Sequence, residues 1–273
     1  PSEYQLAQCL NDVIKGYKQY RETGVTPESC YLLIRKLNFF TEGYFGHVFN
    51  RCISHMYERS TFLQTRYYNS NAEDIRLDQQ LRSSGYVVVP NDYIGINTRD
   101  IINSLHSLEY HCIDRGKHSM IFLGRPAKDS MEYGMKYIAN TADLLLSDTI
   151  RSLVLNKQLL QLASTYLEAP AFIRSVDAWW NTTFMPSDYG PNMGGAQSAD
   201  FFHRDSDHNR WLNLFLFLTP TSIDEGAHVF CPGTHNRLRD YNDPQSYIDN
   251  RYTDDQVRNL GHTTIVHETS LPT

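Results

Sequence analysis

Phe202-His203-Arg204-Asp205-Ser206-Asp207-His208, Trp211-Leu212-Asn213-Leu214-Phe215-Leu216-Phe217-Leu218-Thr219 and Asp224-Glu225-Gly226-Ala227-His228-Val229-Phe230-Cys231-Pro232-Gly233-Thr234-His235 follow one another late in the chain. Residues 201–205 read as a strand, in which positions two apart point to the same face. The His203 imidazole and the Asp205 carboxylate can then aim at one point. Two such ligands and a His from a distant strand make a facial triad that leaves three positions on Fe(II) open. The triplet alone is a weak signal: 11 His and the Asp content give roughly 0.8 such triplets by chance, and a surface loop rich in His and Asp explains it as well. His203-Arg204-Asp205 also spells a protein-kinase catalytic-loop triplet, but Asn209 stands four residues after Asp205, one short of that spacing. No glycine-rich phosphate loop accompanies it.

Outward from this stretch, strands are predicted over 171–184, with Trp179 and Trp180, and over the apolar run 213–218, 227–231 and 263–271. Turn residues sit between them at Pro186, Gly190-Pro191, Gly194-Gly195, Pro220 and Pro232-Gly233. The front half reads as helical. Leu6, Leu10, Val13, Ile14 and Tyr17 form a stripe, Thr26-Pro27-Glu28 starts a helix over 29–40, and another covers 44–59. Leu81 to Gly85 reads as a helix end and Tyr86 to Val89 as a short strand. Residues 97–107 and 142–167 read as helices, the second closed by Pro170. Helices in one half and strands in the other indicate an α+β, barrel-like architecture rather than a βαβ repeat.

The chain has 273 residues, 41% of them apolar, enough for a packed core. The formal charge of −6, with no basic block, argues against nucleic acid as a partner. No apolar run is long enough to cross a bilayer. Five widely spaced Cys without a CxxC argue against a disulfide framework and a Cys-based zinc site, and point to free thiols in a reducing cytoplasm. The N-terminus shows no signal peptide. The chain starts at Pro1, so an excerpt is expected, and the C-terminal end is treated in the same way.

Taken in order, the metal strand, core strand, acidic-Gly turn, strand and Pro-Gly-Thr-His resemble the phytanoyl-CoA dioxygenase family of Fe(II)/2-oxoglutarate oxygenases. The resemblance covers about 195–271 closely and 79–110 loosely; Gly85-Tyr-Val-Val-Val-Pro-Asn91 looks like that family's opening strand. It implies a double-stranded β-helix (a jelly-roll, cupin-like core) with flanking helices over 76–273, lacking its C-terminal end. Residues 1–75 form an N-terminal helical extension. His203 and Asp205 would be the first two iron ligands. Residues 196–200 would line the approach to the metal, and Gln197 would contact a carboxylate of 2-oxoglutarate. Phe215 and Phe217 would alternate with Leu216 and Leu218 as wall residues. His235 would not bind iron but would hydrogen-bond locally. Trp179 and Trp180, with Arg174, would face the substrate or split between core and surface.

For the third ligand the resemblance demands a His on a late strand, then an Arg about ten residues on to pair with 2-oxoglutarate. His267, 62 residues after Asp205, is the candidate within the chain. The family pattern puts an acidic residue and Thr ahead of the ligand. Glu268-Thr269 would then place it at or beyond Thr273, with His262 and His228 as remaining alternatives. No Arg follows Glu268. The implied cofactors are Fe(II), 2-oxoglutarate as cosubstrate and O2. The implied reaction hydroxylates an unactivated C–H bond of a small-molecule substrate, and Asp205 favours this over halogenation. A catalytically inactive jelly-roll binding module and a cupin-like zinc enzyme are the alternatives.

Overall fold

The computed structural model describes residues 11–19, 71–95, 97–113, 121–125, 136–167, 171–181, 201–203, 211–235 and 251–269, with isolated positions between 22 and 48. Residues 11–19 are helical, as their apolar stripe requires. The expected helices over 29–40 and 44–59 lie largely outside the described residues.

Helix α1 (Ala72–Ser84) is bounded by its own sequence. Asn71 Oδ1 accepts from the Asp74 N–H at 2.8 Å and Asp74 returns a bond to the Asn71 N–H at 3.2 Å, a reciprocal capping box. At the far end Gly85 adopts φ 81°, and its N–H reaches the Leu81 carbonyl. The boundary expected at residue 75/76 therefore runs inside a helix. Leu77 and Leu81, four residues apart, are buried. Arg82 donates to Asp78 at 2.9 Å and to the Thr165 carbonyl at 2.8 Å. These contacts hold α1 against α6 (Lys157–Leu167). The short helix α2 (Asn91–Ile94) joins the same layer through Asn156, whose side-chain amide donates to the Ile94 carbonyl at 3.0 Å.

Helix α3 (Thr98–His106) is followed by β1 (Glu109–Ile113), β2 (Ile121–Leu123) and β3 (Lys136–Ala139). With β4 (Trp179–Asn181) these make a four-stranded antiparallel sheet ordered β2-β1-β3-β4. Tyr110 and Cys112 on β1 and Tyr137 and Ala139 on β3 point to one face, as period-2 alternation dictates, and all four are buried. Ile101 and Leu105 of α3, Leu144 of α4 (Thr141–Leu144) and Ile150 of α5 (Asp148–Val154) cover that face. The Tyr110 hydroxyl, which burial would otherwise strand, donates to the Leu105 carbonyl at 3.1 Å.

Three expectations are corrected. The helix expected over 142–167 is three helices, because Ser147 and Asn156 cap new starts. Ser147 Oγ accepts from the Ile150 N–H at 3.4 Å and Asn156 Oδ1 from the Leu159 N–H at 3.1 Å. The helical front and strand-rich back do not hold, since three of the four strands in the larger sheet precede residue 140. Tyr86–Val89 and 213–218 are in no strand among the described residues, and Leu214 and Phe215 are exposed rather than buried. The described strands form antiparallel sheets of four and two strands, and a double-stranded β-helix is not shown among the described residues.

Gly85 gives a direct test. A Cβ there would stand 2.5 Å from His235 Nδ1, on top of the left-handed backbone. Gly95 is also left-handed (φ 66°), with nothing within 4 Å of an added Cβ. Gly95→Ala should cost about 1 kcal/mol, and Gly85→Ala ~2–4 kcal/mol because overpacking adds to the backbone penalty. Urea unfolding of the two variants measures the difference, and equal costs would show that the His235 contact carries no energy.

Candidate active site

The second sheet pairs β5 (His228–Phe230) with β6 (Ile265–His267) in antiparallel register, with His228 opposite His267, Val229 opposite Val266 and Phe230 opposite Ile265. The same pairing resumes at Thr221 and Thr269, which exchange two backbone bonds of 3.0 Å. Between these two pairings, six residues on one strand face one on the other. Ser222 to Ala227 leave the ladder in a 3-10 turn (Ile223–Glu225), closed by the Ala227 N–H on the Ser222 carbonyl at 3.1 Å. Glu225 accepts from the Ser222 N–H and hydroxyl, which hold its carboxyl below the usual range. Glu268, on the facing strand, accepts from the Ile223 N–H at 2.9 Å. This excursion sets the register that brings His228 and His267 opposite one another.

An aromatic seam joins this pair to the larger sheet. The Phe215 and Phe217 rings stand edge-on to His228 at 4.5 and 5.5 Å, and Phe217 lies 6.2 Å from His267. Phe215 also meets Trp179 edge-to-face at 6.2 Å, and Lys136 Nζ sits 3.9 Å above the Trp179 ring. Leu216 and Leu218 turn the other way, against the helix-covered core. The alternation expected of residues 215–218 is therefore present, although the segment joins no ladder among the described residues. The Trp pair also alternates: Trp180 packs beside Tyr110 on the core face, and Trp179 faces the seam.

His203 sits next to Phe202, whose backbone exchanges two bonds with Tyr252 at 3.0 and 2.8 Å. Its Nδ1 lies 2.7 Å from the Phe201 carbonyl oxygen. A carbonyl only accepts, so Nδ1 carries the proton and Nε2 carries the lone pair. That is the tautomer a metal-ligating imidazole needs, held by a backbone acceptor as such ligands usually are. Asp205, Gln197 and the 196–200 approach lie outside the described residues. Among the described residues no three His, Cys, Asp or Glu side chains gather around a common point.

His235 corrects an expectation of local bonding. Its Nε2–H donates to the Arg82 carbonyl at 3.1 Å, 153 residues away, at the end of α1. The Gly233 N–H donates to the Ser84 carbonyl at 2.9 Å beside it. The His228–His267 pairing was not legible in the sequence, because its register depends on the length of the Ser222–Ala227 excursion. Among the described residues, Cys30, Cys112 and Cys231 are thiols outside any disulfide, and no helix is long and apolar enough to cross a membrane.

The described residues make a mixed fold of helices with small antiparallel sheets. Residues 81–268, more than two-thirds of the chain, match the phytanoyl-CoA dioxygenase (PhyH) family. The chain belongs to that family, whose members are in general Fe(II)/2-oxoglutarate-dependent oxygenases. No curated protein and no solved structure matches it.

Glu268 supplies the test of register. Glu268→Ala leaves the Ile223 N–H without its acceptor and should destabilise the fold by ~1 kcal/mol. Faster amide exchange at Ile223 and Ala227, with the β1–β3 amides unchanged, would place the loss in the 3-10 turn.

Proposed function

We propose that this chain is a non-haem Fe(II)/2-oxoglutarate-dependent dioxygenase that hydroxylates an unactivated C–H bond of a small-molecule substrate. Membership of the family is the observation that carries the reading. The His203–Phe201 bond is consistent with it, since metal-ligating imidazoles usually donate their other ring N–H to such an acceptor.

In this reading the strand pairs β5–β6 and Phe202–Tyr252 are pieces of a double-stranded β-helix. His203 offers Nε2 to the metal while the Phe201 carbonyl holds the ring. Asp205, two residues on, offers its carboxylate. The third nitrogen comes from the late strand, either from His267 or from a His beyond position 273, as the family pattern following Glu268-Thr269 implies. Gln197 donates to a carboxylate of 2-oxoglutarate. Phe215, with Phe217 behind it, forms an apolar wall that keeps water from the reacting centre. When bound, Fe(II) with 2-oxoglutarate and O2 supplies the oxidising power, giving succinate and CO2 and leaving one oxygen atom on the substrate carbon.

Fe(II)-dependent succinate release from 2-oxoglutarate is the assay. His203→Ala and Asp205→Ala should each reduce it by at least a hundredfold without unfolding the protein, and retained turnover in both would place the site elsewhere. His267→Ala should abolish release if His267 is the third ligand and change it little if the ligand follows position 273. Binding of 2-oxoglutarate without succinate would favour the inactive binding module, and zinc-supported turnover without 2-oxoglutarate would favour the zinc enzyme.

A further inference from the structure

The turn Pro232 to His235 acts as a cap for a helix far away in the chain. The last four carbonyls of a helix lack partners within it. In α1, Arg82 O is taken by His235 Nε2–H at 3.1 Å and Ser84 O by the Gly233 N–H at 2.9 Å. Thr234 Oγ1 donates to the Cys231 carbonyl at 2.8 Å and keeps the turn closed. The other ring nitrogen, His235 Nδ1, is buried and has no hydrogen-bond partner. It faces Gly85 so closely that a Cβ there would stand 2.5 Å away. One side of this imidazole is thus satisfied, and the other is pressed against bare backbone with no acceptor.

We propose that His235 is a proton-operated latch: protonation at Nδ1 releases the 232–235 turn from the end of α1 and loosens the adjoining end of β5. A proton there would be a buried charged donor with nothing to accept it, and moving the turn away is the direct way to hydrate it. The charged and titratable groups around it are engaged elsewhere. On α1, the Arg82 guanidinium turns to Asp78 and the Thr165 carbonyl, and lies over the Tyr166 ring of α6. Beyond Gly85, the Tyr86 ring stacks on Phe230 at 4.4 Å, and Cys231 carries a thiol outside any disulfide. The carbonyl end of a helix favours a cation, and the Arg82 carbonyl bond also favours protonation. Burial opposes both and prevails, holding the imidazole below its usual range. The sign follows: with the folded value below that of a free histidine, the latch holds fully above pH about 6.5 and is lost as pH falls through the folded value.

The consequence reaches the seam. Phe230 is the last residue of β5 and His228 the first, so the latch and the Tyr86–Phe230 stack fix the strand on which His228 meets Phe215 and Phe217. The latch does not depend on iron, and it stands or falls separately from the oxygenase reading.

The Gly233 amide reports on it directly. In the full chain, Gly233 protection from hydrogen exchange, corrected for the intrinsic chemical rate, should fall between pH 7.5 and 5.5, by at most about tenfold for one titrating group. The Ala139 amide, bonded to the Ala178 carbonyl in the larger sheet, should hold its protection. His235→Gln keeps an N–H for the Arg82 carbonyl but does not titrate, and should flatten the Gly233 profile. A wild-type profile that is already flat, or one lost in parallel with Ala139, would overturn the latch. So would an identical profile in His235→Gln; if that variant does not fold, the comparison of Gly233 with Ala139 in the wild type decides alone.

Discussion

The carbonyls at the end of α1 point out of the helix and have to find donors outside it. Gly85 satisfies Leu81 O, while Arg82 O and Ser84 O are satisfied by a turn about 150 residues further on. That demand explains why Gly stands at 85. The backbone there must turn left-handed to end the helix, and the space where a side chain would begin is filled by the His235 ring. It also explains the next residue. Once the chain leaves α1 in that direction, Tyr86 lands face-to-face on Phe230. Three contacts within a few residues therefore join the α1–α6 layer to the end of β5, so the helical layer and the small sheet share one junction.

Burial, not surface charge, holds the two sheets to their surroundings. Tyr110, Tyr137, Leu77, Ile101 and Leu144 are almost fully buried. Each such side chain contributes on the order of 1.5–3 kcal/mol. The ion pairs Arg76–Glu73, Arg151–Asp148 and Arg258–Asp255 are exposed i,i+3 pairs on helix surfaces, where water screens them and they contribute little. The side chains of residues 215–218 divide between two apolar environments, Leu216 and Leu218 against the core and Phe215 and Phe217 against His228. Leu216 and Leu218 are the packed side of this alternation, and Phe215 stays partly open to solvent beside His228.

Local signals in the sequence were reliable where a single residue type settles the backbone. Gly85 ends α1, Asn97 starts α3, and the β-branched and aromatic run 227–231 becomes β5. They failed where tertiary context decides. The apolar spacing over 142–167 satisfies a helix throughout, yet Ser147 Oγ donates to Ser104 Oγ at 3.1 Å on α3, and that tie favours a break and a new cap over a continuous turn. Strands β1 to β3 escaped because Glu109-Tyr110-His111-Cys112-Ile113 alternates aromatic and thiol with polar residues, a pattern that reads as ordinary until Tyr110 and Cys112 are seen on one buried face. The distant partner of His235 carried no sequence signal at all, since a carbonyl acceptor has no side-chain identity.

The candidate site shows the same division. A His and an Asp two residues apart occur by chance about once in a chain of this composition, so the triplet could not identify a centre unaided. The ordered blocks around it pointed instead to a family, and the family match over residues 81–268 bears that out. The structure adds what residue letters cannot encode, the direction of a proton. With the Phe201 carbonyl 2.7 Å from Nδ1, His203 has one nitrogen committed as donor and the other left as base. In the neutral ring, Nε2 is the nitrogen whose lone pair can bind a proton or a ligand.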